Sequence, residues 1–315
     1  MKLKQIFGVL ILLLGLAAWS PAVEVDIEST DPDTWTLVTW NIEWFPGRFR
    51  YARGERLTQH MAVVQEELKR MAPDIFMAQE MRGWQAFADL CSVVPGLQPA
   101  VVSAFRGRSD SEYWPQQIGI AAKVPVYAAW SEPWQSGDEV DPPRGFSVAA
   151  IQLPTDRFEV LLVYSVHLKS NLADSPEQTQ RNYHIREESI RQLLDHIDEM
   201  QATFWGRVAG VIVGGDFNTN RDGDFDDRVV DMMIDAGFHD CWQGVPRDER
   251  LTWRGSDLYN PTTLDHFFTR GVGTPLARMI HVSDETSDHW PVKITISLAD
   301  IGMDPSQEDE HDETD

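Results

Sequence analysis

Apolar runs that stop abruptly at oxygen-bearing residues constrain this chain more than any other feature. Ile75-Phe76-Met77-Ala78 runs into Gln79-Glu80, Val211-Ile212-Val213 runs into Gly215-Asp216-Phe217-Asn218, and Thr36–Trp40 runs into Asn41-Ile42-Glu43. Near the far end, Ser287-Asp288-His289-Trp290-Pro291 precedes a last apolar run. Runs this short, bounded by polar residues, fit buried strands. A group at the end of a buried strand is held rigidly at the edge of a sheet. Asn, Glu and Asp supply hard oxygen ligands suited to Mg²⁺ or Ca²⁺. A carboxylate next to a histidine suits proton transfer. Together these groups point to metal-assisted attack on a phosphate ester.

Strands and helices alternate along the chain. Strands are expected at 36–40, 74–79, 118–122, 146–152, 158–166, 208–213, 264–269 and 292–298, with 146–152 and 158–166 paired as a hairpin around Pro154-Thr155-Asp156. Leu57, Met61, Val64, Leu68 and Met71 repeat at helical spacing, and Pro73 ends that helix. Ile190, Leu193, Leu194 and Ile197 mark a long helix that starts after Pro176. Val229, Met233 and Ala236 place a helix that stops at Gly237. Linker-like stretches at 106–116, 131–144 and 244–261 connect elements of one domain. No internal repeat is present.

The ends of the chain read differently. Lys2 and Lys4 precede the apolar run Ile6–Trp19, and Ser20-Pro21-Ala22 supplies small residues. The run is short for a membrane span, so residues 1–22 are expected to be a cleaved signal peptide, with an uncleaved anchor as the alternative. Secretion or a periplasmic location follows, without stable membrane association after cleavage. The catalytic domain is expected over 23–298 and an acidic disordered tail over 299–315. The formal net charge is −23; loss of Lys2 and Lys4 makes it −25, and the eight acidic residues of 300–315 leave about −17 elsewhere. Such a surface repels polyanions at long range, and salt shortens that repulsion. The two cysteines, Cys91 and Cys241, either pair or are buried thiols.

The order and chemistry of these segments resemble the endonuclease/exonuclease/phosphatase superfamily, the DNase I-like proteins, in the form of a secreted bacterial member. Any one motif is weak; all of them in order, each beside a strand, are specific. The resemblance runs from about Trp35 to Leu298. It implies a four-layer α/β sandwich: two mostly antiparallel sheets packed face to face, with outer helices. It also implies roles. Asn41, Glu43, Glu80 and Asp288 match metal-binding positions, with Glu80 the principal ligand. His167 matches the histidine that hydrogen-bonds the scissile phosphate, and Asp216 and Asn218 the pair that orient water and stabilise the transition state. Asp265 matches the residue that orients His289, the general base, while His266 is structural. Arg82 matches a phosphate contact, and Lys169 either supports the phosphate or is a solvated loop lysine. The partner of His167 stays open among Glu112, Tyr113, Gln116 and Gln117. For the segment Asp222–Asp227 the choice lies between a Ca²⁺ site and a solvated acidic loop.

The expected protein is therefore a secreted, monomeric, metal-dependent phosphodiesterase. Mg²⁺ is the expected ion, with Mn²⁺ or Ca²⁺ as alternatives. The expected substrate is nucleic acid, cut by in-line attack of water at low sequence specificity, with contacts near Arg106-Gly107-Arg108 and Arg144. Alternatives are a phospholipid (sphingomyelinase-like) or sugar-phosphate phosphoesterase, and an inactive binding protein of the same fold.

Overall fold

A computed structural model describes residues 33–106, 116–137 and 140–302. The elements run β1 (Thr34–Phe45), α1 (Glu55–Met71), β2 (Ile75–Met81), α2 (Trp84–Cys91), β3 (Gln98–Val102), β4 (Gln117–Ala122), β5 (Val126–Pro133), β6 (Gly145–Gln152) and β7 (Val160–His167). They continue with α3 (Pro176–Thr203), β8 (Val208–Asp216), α4 (Val229–Asp235), β9 (His239–Asp240), β10 (Asp265–Arg270), β11 (Arg278–Met279) and β12 (Val292–Ser297). Two six-stranded sheets result, in the orders β11-β12-β1-β2-β4-β3 and β5-β6-β7-β8-β10-β9. Within each, one central pair is parallel, β1 with β2 and β7 with β8, and the other pairs are antiparallel.

Three apolar layers hold the sandwich. Strand alternation sends Leu37, Ile75, Met77 and Ile120 of one sheet toward Ile151, Leu161, Val163 and Ile212 of the other, and these close the central core. The opposite face of the first sheet buries Val38, Trp40, Phe76 and Ala78 against Val64, Leu68, Phe87 and Leu90 of α1 and α2. Val148, Leu162, Tyr164 and Val213 of the second sheet pack on Ile190, Leu193 and Ile197 of α3 and Met233 of α4. Both faces of each central strand are covered, which is why their sequences read as continuous apolar runs. The expected four-layer arrangement is the observed one.

Several details differ from expectation. The helix α2 and the strands β3, β5, β9 and β11 were not expected. In α2 only Phe87, Leu90 and Cys91 are buried, too few turns for a helical period to show. The edge strand β5 is only half-buried and runs into the stretch expected to be a linker. The seventh strand starts at Val160 and extends to His167. Cys91 and Cys241 are free, buried thiols in different apolar layers. The 222–227 segment is neither a converged carboxylate cage nor a free acidic loop: Asp222 pairs with Arg250, Asp224 with Arg247 and Asp227 with Arg186. The expected signal peptide, residues 303–315 of the expected tail, and Gly107, Arg108, Glu112 and Tyr113 lie outside the described residues, while the first residues of that tail are ordered, with a 3-10 turn at Leu298–Asp300 and Ile301 bridged to Val272.

Candidate active site

Strand register assembles the centre of the site. His167 closes β7 directly beside Asp216 at the end of the parallel β8, and Asp265 opens β10 opposite the same Asp216. Gly215 makes this possible. Its φ is +148°, and a Cβ there would lie 2.0 Å from the Val166 carbonyl oxygen, so the backbones approach as only glycine permits. In the facing sheet Asn41 of β1 pairs in register with Gln79 of β2, which puts Glu80 next to Asn41. A cleft of about 590 Å³ opens over these strand ends.

Asp216 is the hub. Its Oδ2 accepts a hydrogen bond from Asn41 Nδ2 at 2.9 Å, with His167 Nε2 at 3.5 Å and His289 Nε2 at 4.0 Å. Two imidazole edges thus converge on one carboxylate oxygen from opposite sides of the cleft. Burial pushes the Asp216 carboxyl up to about 7; His289 opposes this shift and Asp265 adds to it. Asn218 N–H donates to Asp216 Oδ1 at 2.9 Å, and Asn218 Nδ2 donates to the Leu168 carbonyl at 3.3 Å.

The two histidines sit in opposite electrostatic settings. His289 Nδ1 lies 2.7 Å from Asp265 Oδ2. Burial disfavours its charged form, but Asp265, Asp288 and Asp216 outweigh burial and hold it well above the ordinary range. Its loop is pinned to β1: Ser287 Oγ donates to the Asn41 carbonyl at 2.7 Å and accepts from His289 N–H at 3.0 Å, and Trp40 Nε1 donates to the His289 carbonyl at 3.1 Å. Burial, with Arg144 and His289 nearby, keeps His167 well below the ordinary range. It therefore stays a neutral imidazole, fit to donate a hydrogen bond. Its Nδ1 has no partner among the described residues, and Gln116 serves Arg144 and Glu80 instead.

Glu80 offers the hard ligand. Its Oε2 accepts from Trp44 N–H at 2.9 Å and its Oε1 from Asn41 Nδ2 at 3.4 Å. Burial raises its carboxyl above the ordinary range, and Asp288 adds to that. Glu43 and Asp288 also line the cleft. The first is bound by Arg48 Nε at 2.7 Å and the second accepts from Trp253 Nε1 at 3.0 Å. Asn41 Oδ1 accepts from Glu43 N–H, so in this arrangement Asn41 clamps the carboxylates through its nitrogen. The tightest cluster of ligand atoms among the described residues is Asp216, Asp265 and His289. Within it Asp265 already bonds His289, and Asp216 Oδ2 stands 4.0 Å from His289 Nε2. The donor set fits a divalent cation. Glu43, Glu80, Asp216 and Asp288 crowd one cleft; burial chiefly, with neighbouring carboxylates adding, raises the carboxyls of Glu43, Glu80 and Asp216, and a cation would stabilise their charged forms.

Eight described non-glycine residues have positive φ, and five of them line the cleft: Glu43 (37°), Trp44 (52°), Glu80 (63°), Arg144 (71°) and Asn218 (55°). Such conformations cost about 1–3 kcal/mol each and persist where packing over-determines them. Their concentration here marks a site where side-chain aim outweighs backbone comfort.

Not every expected residue comes to the cleft. Arg82 is exposed and donates to the carbonyls of Arg50 and Ala52, outside the cleft lining. Lys169 Nζ turns to Ser170; burial lowers its ammonium below the ordinary range. His266 Nε2 donates to the Thr219 carbonyl and is structural, as expected. Arg144, expected near a substrate contact but not among the site residues, is a cleft residue. It donates from Nε to the His167 carbonyl at 2.9 Å, from Nη2 to the Leu168 carbonyl at 2.6 Å and from Nη1 to Gln116. His60 was not anticipated. Its Nδ1 accepts from Gly47 N–H at 2.7 Å, so Nε2–H donates to the Thr286 carbonyl at 2.5 Å. It thereby joins the loop after Glu43 to the loop before Asp288. The signal was available: a polar residue within the apolar stripe of α1, one turn before Val64.

Residues 38–289 match the profile of the endonuclease/exonuclease/phosphatase family. No curated protein matches the chain significantly. Solved structures share the fold. A family protein from Bacteroides thetaiotaomicron is 17% identical with a TM-score of 0.59, over 84% of this chain and 97% of that one. Truncated TDP2 from Caenorhabditis elegans is 16% identical with a TM-score of 0.57, over 84% and 98%. Beta toxin from Staphylococcus aureus is 17% identical with a TM-score of 0.58, over 82% and 99%. The profile spans every loop that builds the cleft, from Asn41 to His289, and the chain belongs to the endonuclease/exonuclease/phosphatase family of metal-dependent phosphoester hydrolases.

Proposed function

We propose that this phosphodiesterase cleaves nucleic acid at low sequence specificity, as a monomeric exported endonuclease that uses Mg²⁺, with Mn²⁺ or Ca²⁺ as alternatives. One observation carries the chemistry: His289 and His167 aim Nε2 at the same Asp216 oxygen, one backed by Asp265 and the other kept neutral. A divalent cation bound by Glu80 and its neighbours would polarise a phosphoryl oxygen. The unprotonated form of His289, made strongly basic by Asp265, Asp288 and Asp216, takes the proton of the attacking water at Nε2, and Asp265 stabilises the imidazolium that forms. Asp216 and Asn218 orient that water. His167 donates Nε2–H to the phosphate, and the Arg144 guanidinium faces the same charge. For the substrate, Trp44, Phe225, Trp253 and Tyr259 surround the diester position and supply flat surfaces for flanking bases. Leu172 and Tyr259 on the rim are 71% and 58% exposed, and this favours a phospholipid as the second reading.

The purified protein should be incubated with plasmid DNA, RNA, sphingomyelin and inositol phosphates, with and without Mg²⁺. Metal-dependent nicking of plasmid or RNA is the expected result. Release of phosphocholine from sphingomyelin without nucleic acid cleavage would replace the proposal with the phospholipid reading.

A further inference from the structure

The chain has 27 cationic and 50 acidic side chains, yet one surface beside the cleft runs the other way. From the end of β1 through the connecting loop into the first turn of α1 the chain reads Phe45-Pro46-Gly47-Arg48-Phe49-Arg50-Tyr51-Ala52-Arg53-Gly54-Glu55-Arg56. Arg50, Arg53 and Arg56 are exposed. Arg82 joins them across space, with Nη2 at 3.4 Å from the Arg50 carbonyl and 3.3 Å from that of Ala52. Most other arginines of the domain are spent on carboxylates, among them Arg70, Arg186, Arg191, Arg247, Arg250 and Arg254. Arg50, Arg53, Arg56 and Arg82 have no carboxylate partner among the described residues. Arg48 links this patch to the catalytic cleft: it binds Glu43, a lining residue, at 2.6 Å.

Four unpaired guanidinium groups in one small area repel one another and are tolerated where they meet an anion. We infer that the Arg50–Arg56 loop with Arg82 is a docking surface for the phosphate backbone of nucleic acid that extends beyond the scissile diester. This rests on the nucleic acid reading above and adds where the polymer runs. Arginine forks match phosphate oxygens in pairs. The ligand is a polymer, because the four arginines lie outside the cleft lining and a small phosphate ester held in the cleft leaves them unmet. A membrane fits less well. Insertion into a bilayer needs apolar tips free of charge, whereas Phe49 and Tyr51, 40% and 71% exposed, each carry a guanidinium against the ring, Arg56 at 4.3 Å and Arg50 at 5.4 Å. The device also answers the charge problem of a −23 chain: the far field repels a polyanion, and a local cationic strip holds it once it arrives.

The test is the triple variant Arg50→Gln/Arg53→Gln/Arg56→Gln, compared with wild type on duplex DNA and on bis(p-nitrophenyl) phosphate. Far-UV circular dichroism and small-diester turnover confirm an intact fold and centre. The expected result is a KM for duplex DNA raised roughly tenfold, with kcat/KM for the small diester within about twofold. On the high-salt side, the slope of log(kcat/KM) against log[NaCl] should flatten by about 2 to 3, close to one per lost phosphate contact. A wild type that cleaves DNA, with a variant of unchanged KM and slope, overturns the docking surface alone. A wild type that hydrolyses the small diester but no nucleic acid overturns the function it rests on. In that case, loss of phosphatidylserine-vesicle binding in the variant would assign the patch to a membrane instead.

Discussion

Removal of the Arg186 guanidinium should destabilise the domain and loosen one wall of the cleft. Arg186 and Asp227 are 0% and 1% exposed, and Arg186 binds Asp227 Oδ2 through both Nε and Nη2. A third bond runs from Nη1 to the Lys169 carbonyl at 3.0 Å, and the Tyr183 and Phe225 rings lie 5.1 and 5.8 Å from the guanidinium. Asp227 Oδ1 meanwhile accepts from Thr219 Oγ1. Asn171 Nδ2 donates to the Asn218 carbonyl at 2.6 Å, so the loops after β7 and β8 share one anchor on α3. Arg186→Met roughly fills the space but strands a buried carboxylate. Breaking a buried pair from one side costs about 3–5 kcal/mol, or roughly 5–9 °C in Tm for a domain of this size. Replacing both charges should cost much less, because no ion is then left unpaired. Urea unfolding should therefore give a midpoint loss for Arg186→Met that is more than half recovered in Arg186→Met/Asp227→Asn, with m unchanged. The kcat should follow the same order. A single variant that costs less than about 1 kcal/mol, or a second substitution that adds to the loss, would refute the reasoning.

Three further outcomes follow from the site. Chelation by EDTA should abolish hydrolysis reversibly, and Glu80→Ala should nearly abolish it with little change in Tm; near-normal turnover in either case would remove Glu80 as the principal ligand. His167→Ala, His289→Ala and Asp265→Asn should each lower kcat by roughly 10²-fold or more, measured on a small diester with folding checked by circular dichroism. The effects of His289 and Asp265 should be strongly non-additive, since they act as one unit. His60, lowered to about 4 chiefly by burial, ties stability to pH. Its folded-state value lies below the unfolded one, so its contribution is full above pH 6.5. That contribution falls as the unfolded chain gains a proton, and levels off near pH 4, for a total of about 3 kcal/mol. Urea midpoints between pH 7 and 4 should fall less steeply in His60→Gln than in wild type; parallel curves would dismiss the assignment.

The sequence by itself marked the buried strands and the polar groups at their ends. Continuous apolar runs such as 75–78 and 211–213 have to be buried on both faces, but the same pattern also fits a doubly wound sheet, and the four-layer arrangement came with the family resemblance. The polar residues that end those runs, Glu80, Asp216 and His289, read directly as chemistry because they are costly there without a function. Tertiary structure decided what local pattern cannot carry. Short or half-buried elements such as α2 and β5 owe their form to the sheets they pack on. The hub role of Asp216 came from strand register, which sets His167 on one side of it and Asp265, across 48 residues of sequence, on the other. Charge partners were equally hidden. The carboxylates of 222–227 resemble a cation loop in one dimension, and only folding delivers Arg186, Arg247 and Arg250 to neutralise them. Arg50, Arg53 and Arg56 look like ordinary surface charge until folding leaves them without acidic partners among the described residues. Composition counts charges, whereas the fold decides which of them face each other at distances where electrostatics acts.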